Sequence, residues 1–212
     1  MGFSRKLALG SLLVLSATPV FAVDTADLQV IATIAPTACT PTFAGGGVID
    51  YGLIPTTALN SATRTLLPVR SINYSITCDA PIAIGTSWQD SRTSSAVGGG
   101  PSAFGLGMQG SASIGRYTIT QRPGSGATGD GAAVDLLQRD TNGPWVAVTV
   151  GLQTNSSARI QAYAMPGNPD PAEFTVYAGT FEVAPSIAPT STLDLSKSIA
   201  LDGLATMTVR YL

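Results

Sequence analysis

Leu28-Gln29-Val30-Ile31-Ala32-Thr33-Ile34 runs on to Cys39, the first of only two cysteines in a chain of 212 residues. Leu28, Val30, Ala32 and Ile34 fall on alternate positions, so an extended backbone puts all four on one face of a strand. The chain closes on the same period, with Ala205, Met207, Val209 and Tyr211. The two rows lie at opposite ends of the exported chain, where a polymer subunit would carry its joints. That placement points to assembly rather than catalysis. For 28–34 the competing reading is an ordinary first strand that completes its own sheet.

Residues 1–22 have the layout of a secretory signal peptide. Arg5 and Lys6 are followed by an apolar stretch from Leu7 to Val14, then by the small-residue site Val20-Phe21-Ala22. The apolar stretch is too short to span a bilayer. Cleavage after Ala22 leaves 190 residues, about one domain. The expected organisation is a leader over 1–22, a segment over 23–38 leading into the first strand, and a domain over 39–212. No later stretch reaches the ~18 consecutive apolar residues that mark a membrane helix.

Charge is scarce, at 11% of residues against about 25% in an average globular domain. Loss of Arg5 and Lys6 with the leader leaves nine basic residues against thirteen acidic ones, and Lys197 as the sole lysine. No basic patch with interleaved aromatics is present, which excludes nucleic acid as a partner. Two cysteines in an exported chain read as one disulfide between Cys39 and Cys78, with two free thiols as the alternative.

Strand signals recur at short intervals between Gly, Pro, Asn and Ser. The expected strands are 28–38, 48–53, 65–78, 81–88, 104–108, 113–121, 144–152, 158–164, 173–183, 192–196 and 204–212. One window, Ala132 to Arg139, has helix-like composition. Many short strands with Gly- and Pro-rich turns specify an all-β sandwich or barrel, and a sandwich is expected here. Glycine runs at 45–47 and 98–100 mark turns, and Pro166-Gly167-Asn168-Pro169-Asp170-Pro171 must be a loop.

The residues carry little chemistry. The chain has no histidine, which removes Ser-His-Asp and Cys-His arrangements and the commonest metal ligand. With both cysteines in a bridge, neither a thiol nucleophile nor a zinc site remains. The acids are scattered among turns, without the convergence that a glycosidase needs. Gly124-Ser125-Gly126-Ala127-Thr128-Gly129 spells G-x-G-x-x-G, yet Arg122-Pro123 precedes it where a dinucleotide site requires a strand. No catalytic residue, metal or cofactor is implied. Trp88 and Trp145 are the residues able to stack on a sugar; packing in the core is the plainer role for either.

The ordered combination of these features resembles subunits of chaperone–usher pili, in particular a longer fimbrial-like branch from Gram-negative bacteria. The segment 28–34 ahead of Cys39, the Val48-Ile49-Asp50-Tyr51-Gly52 stretch after it, the Cys39/Cys78 spacing and the penultimate Tyr211 carry the likeness. Residues 85–170 add nothing to it. The resemblance implies an incomplete immunoglobulin-like β-sandwich that lacks its last strand. Leu28, Val30, Ala32 and Ile34 would form a donor strand for a neighbouring subunit. Ala205, Met207, Val209 and Tyr211 would border the groove and contact a periplasmic chaperone. The implied partners are that chaperone, an outer-membrane usher, neighbouring pilus subunits, and a host glycan or surface. The implied destination is a fimbrium on the cell surface. Family donor strands usually place glycine where this chain has Ala32. A self-sufficient secreted carbohydrate-binding sandwich is the alternative, and an open or closed sheet separates the two.

Overall fold

Arg70–Asp90 alternates apolar and polar residues across Asp79-Ala80-Pro81 and forms one unbroken strand of 21 residues. A computed structural model describes residues 38–212 together with Gln29, Val30 and Ala32. Fourteen strands lie among the described residues, all paired antiparallel. They are β1 (Cys39–Phe43), β2 (Thr65–Leu66), β3 (Arg70–Asp90), β4 (Phe104–Gly105) and β5 (Met108–Gln109). Next come β6 (Ala112–Ser113), β7 (Gly115–Thr120), β8 (Thr128–Gly129), β9 (Ala132–Ala133) and β10 (Asp135–Asp140). The last four are β11 (Val146–Ala147), β12 (Arg159–Ala164), β13 (Glu173–Ile187) and β14 (Ala205–Tyr211). Pro36–Leu212 forms one compact unit.

The two halves of β3 belong to different leaves. Its first half pairs with β1 through Cys39↔Cys78 to Phe43↔Tyr74, and with β13 through Val176↔Thr77 to Val183↔Arg70. From β13 this leaf continues to β7 and β4. The second half pairs with β14 through Ala205↔Asp90 to Tyr211↔Ile84, and with β12 at Gly85 and Thr86. This leaf continues to β10 and β11. Between the halves the register against β13 shifts at Phe174/Val176, and the strand bends there. Gly85 is required at the crossing, because a Cβ would come within 2.5 Å of the Ile160 side chain.

The sheet curls so that its two leaves close on one core, an arrangement compatible with a sandwich. Tyr74, Ile76, Tyr177 and Phe181 from the first meet Ile84, Trp88, Leu136, Tyr163 and Met207 from the second in one buried cluster. Phe181 stacks on Tyr74 with ring centroids 4.6 Å apart and meets Trp88 edge-on at 5.1 Å. Away from these rings the core is polar. The hydroxyls of Tyr74 and Tyr163 lie 2.7 Å apart, and Gln121 Nε2 donates to Tyr74 Oη at 2.6 Å. Gln153 and Gln161 extend this buried network.

Burial raises the pKa of Tyr74 to about 12 and that of Tyr163 well above the ordinary tyrosine value. Both hydroxyls therefore stay protonated in the fold at a pH where the unfolded chain ionises. The stability they contribute is complete below about pH 10 and falls as pH rises from there through about 12, by about 2–3 kcal/mol for Tyr74. Alkaline unfolding followed by circular dichroism should therefore coincide with tyrosinate absorbance. Tyr74→Phe should shift the transition.

The window Ala132 to Arg139, helix-like in composition only, forms β9 and most of β10 with Val134 between them, and Leu136 and Leu137 are held by pairing with β12. The expected strands 65–78 and 81–88 are a single strand. Segments 48–53 and 192–196 carry strand-like patterns but lie in no ladder. The strand 28–38 lies outside the described residues except at Gln29, Val30, Ala32 and Ala38, none of which is in a strand.

Candidate functional site

On the edge of β3 that carries β1 and β14, the leaves part. After Phe43 the chain makes a glycine turn at Ala44–Gly47 and runs on as an extended, unpaired segment. On the opposite side, residues 193–204 run into β14 outside any ladder, held by backbone hydrogen bonds only at Leu193, Asp202 and Leu204 among the described residues. An open groove of about 950 Å³ separates them. Ile49, Tyr51, Leu53 and Ile54 form one rim, and Leu193, Leu195, Ile199 and Leu201 the other. Ile72, Trp88, Tyr117, Ile119, Phe181, Val183 and Ile187 line its floor, and of these Trp88, Tyr117, Ile119, Phe181 and Ile187 are buried.

The rims offer more than apolar surface. Within 48–54 and 195–201 no backbone group bonds another backbone group among the described residues. β14 pairs only with β3, so its outer edge is also free among the described residues. An apolar groove beside unpaired backbone is the combination that accepts an added strand. The rims are nonetheless fixed. Tyr51 Oη donates to the Val183 carbonyl at 3.3 Å, Arg70 lies over the Tyr51 ring, and Arg92 pairs with Asp202 at 2.8 Å.

At the closed end Cys39 and Cys78 form a disulfide, with no free cysteine among the described residues. The Cys39 N–H donates to Tyr211 Oη at 3.0 Å, and Ala38 and Asp79 exchange hydrogen bonds alongside. One junction thus holds the start of β1 and the end of β14.

Of the C-terminal row, Ala205 lines the groove. Met207 is buried in the core, Val209 is half-buried against it, and Tyr211 is exposed. Only the first of the four therefore borders the cavity, because the groove follows the segment leading into β14 more than β14 itself. Of the N-terminal row, Val30 and Ala32 are exposed, and Leu28 and Ile34 lie outside the described residues. The aliphatic rims and floor were missed in the sequence. Their signal was present in the alternating stretches 48–53 and 192–196, which read as ordinary strands.

The sugar-stacking candidates fare differently. Trp88 is 5% exposed and surrounded by Phe43, Phe104 and Phe181. Trp145 is half-buried with the Arg139 guanidinium over its ring at 4.4 Å. In the G-x-G-x-x-G stretch, Gly124 and Gly126 take positive φ in a turn, and Gly129 packs against the Phe174 ring. No helix follows it.

Comparison with known proteins supplies relatives. The chain is 29% identical to protein GltF of Escherichia coli (strain K12) over 257 aligned positions that cover the whole of both chains. It is 25% identical to uncharacterized protein YhcF of the same organism over 221 positions, covering 90% of this chain and 92% of that one. The family described as protein of unknown function (DUF1120) matches residues 28–134, half of the chain, from the alternating N-terminal row through both cysteines to the start of the second leaf's outer strands. This chain belongs to the DUF1120 family.

Proposed function

We propose that the chain is a non-enzymatic structural subunit of a surface fimbria, exported through the periplasm and assembled by strand exchange in the chaperone–usher manner. The observation that carries this reading is the open groove: apolar core flanked by two rims with unpaired backbone. A periplasmic chaperone strand would cover it first. The N-terminal segment of a neighbouring subunit would then replace that strand at an outer-membrane usher. Leu28, Val30 and Ile34 contribute about 1.5–3 kcal/mol each when fully buried, about 5–9 kcal/mol together. That rivals the stability of an entire domain, so the subunit alone is weak and the polymer strong. The immunoglobulin-like topology of such subunits is compatible with the two leaves observed. The alternative, a self-sufficient carbohydrate-binding sandwich, has less in its favour, because Trp88 is packed in the core and the sandwich edge is open.

The decisive experiment expresses residues 23–212 in a periplasm with and without a matched fimbrial chaperone and measures soluble, oxidised subunit. Chaperone-dependent recovery is expected, with SDS-resistant oligomers once the chaperone is withdrawn. A stable soluble monomer without the chaperone would overturn the reading. A synthetic peptide of residues 27–35 added to refolding subunit should raise its melting temperature by at least several degrees. The same peptide with Val30→Asp and Ile34→Asp should leave it unchanged.

A further inference from the structure

Away from the groove, two arginines converge on a glycine loop. Arg64, just ahead of β2, donates through Nη2 to the Val97 carbonyl at 3.0 Å. Arg116, on β7, donates through Nη1 to the same oxygen at 3.2 Å. Neither has a carboxylate within 4.0 Å among the described residues, whereas Arg92, Arg122 and Arg159 each pair with an acid. A carbonyl oxygen carries only a partial charge, so Val97 neutralises neither guanidinium. Arg64 Nη1 is moreover out of reach of solvent and has no hydrogen-bond partner. Burial first, and the Arg116 charge second, lower the Arg64 pKa below its ordinary value. Two cations side by side, one of them partly desolvated, are an unfavourable arrangement unless an anion joins them.

The loop is shaped for that arrangement. A Cβ on Gly99 would clash first with Ala103 Cβ, at 2.0 Å, and would also stand 2.9 Å from Arg116 Cδ and 3.1 Å from its Nη1, so the bare backbone here lies directly against the Arg116 side chain. Gly98 and Gly100 on either side take positive φ. Each guanidinium has five N–H donors in a planar fork suited to two oxygens of one group, and each gives a single one to Val97.

We propose that Arg64 and Arg116 form an oxyanion-binding site beside the 97–100 loop that takes the carboxylate or sulfate of an acidic ligand. The site is built from three separate elements of the first leaf, and it lies apart from the groove residues. It therefore stands whether or not the fimbrial reading does.

The test is side-chain NMR of the arginine Nε–H groups in the folded, oxidised protein, titrated at constant ionic strength with sodium sulfate and, separately, with sodium glucuronate. Saturable shifts confined to Arg64 and Arg116 are expected, with Arg122 as the exposed control. Tighter binding of glucuronate would identify a sugar acid, and tighter binding of sulfate a sulfated or inorganic anion. Arg116→Gln should weaken binding about tenfold, the loss of one charge-assisted hydrogen bond. Arg116→Lys, which keeps the charge and loses the fork, should weaken it less and covers the case in which the glutamine variant does not fold. Linear, unsaturable shifts shared by all arginines would overturn the proposal, leaving the pair with the role of holding the loop.

Discussion

Replacing Phe181 by alanine should remove about 3–5 kcal/mol of stability, the usual range for a buried aromatic truncated in a packed core. Phe181 is fully buried, and it is where the two leaves and the groove meet. Its ring stacks on Tyr74, meets Trp88 edge-on and lies 6.5 Å from Phe43. Collapse around the missing ring is limited, because Tyr74 is tied to Tyr163 and Gln121 and cannot follow. Against a total of about 5–15 kcal/mol, the loss should leave a subunit that unfolds at low denaturant. Equilibrium urea unfolding monitored by Trp88 fluorescence would measure it. Leu53→Ser is the contrast: Leu53 lines the groove yet is 96% exposed, so its stability should change by no more than about 0.5 kcal/mol. In the fimbrial reading that variant weakens strand binding alone.

Removal of the disulfide, by Cys39→Ser with Cys78→Ser or by reduction, should cost about 4 kcal/mol. The bridge closes a loop of 39 residues, and the loop-closure model assigns an entropy of that size to the unfolded chain. The consequence for the groove is more specific than the stability loss. β1 has five residues and, among the described residues, pairs only with β3, and the glycine turn and first rim hang from its far end. Without the bridge, this short edge strand should fray before the rest of the sandwich. Peptide 27–35 should therefore stop raising the melting temperature of the reduced protein even at temperatures where circular dichroism still reports a folded sheet. Retained peptide binding after reduction would show that β1 is held by other contacts.

The parts legible in the sequence are those fixed by local pattern. Val, Ile, Tyr and Thr at alternate positions gave away β3, β7, β12, β13 and β14, and the two cysteines, behind a sequence that reads as a leader, gave away their bridge. The parts that were not legible depend on partners. Ala132-Ala133-Val134-Asp135-Leu136-Leu137 contains good helix formers, and only the antiparallel ladder with β12 makes Asp135–Asp140 a strand. Asp79-Ala80-Pro81 looks like the end of a strand, but the chain bends there and keeps its direction. The stretches 48–53 and 192–196 have the right residues for strands and no neighbour paired with them among the described residues. Their pattern describes what the segments could join, and a sequence does not say whether the complement is present. The Arg64 and Arg116 convergence, between positions 52 apart in the chain, had no sequence signal at all.

The bend in β3 has a mechanical consequence. One continuous backbone enters both leaves, so the chain itself joins them at Asp79–Ala83. The disulfide and the Tyr211 hydroxyl sit beside that junction. Tension applied along the N-terminal segment enters this domain through Cys39, so it is carried across the Cys39–Cys78 bond into the longest strand without passing through the rims.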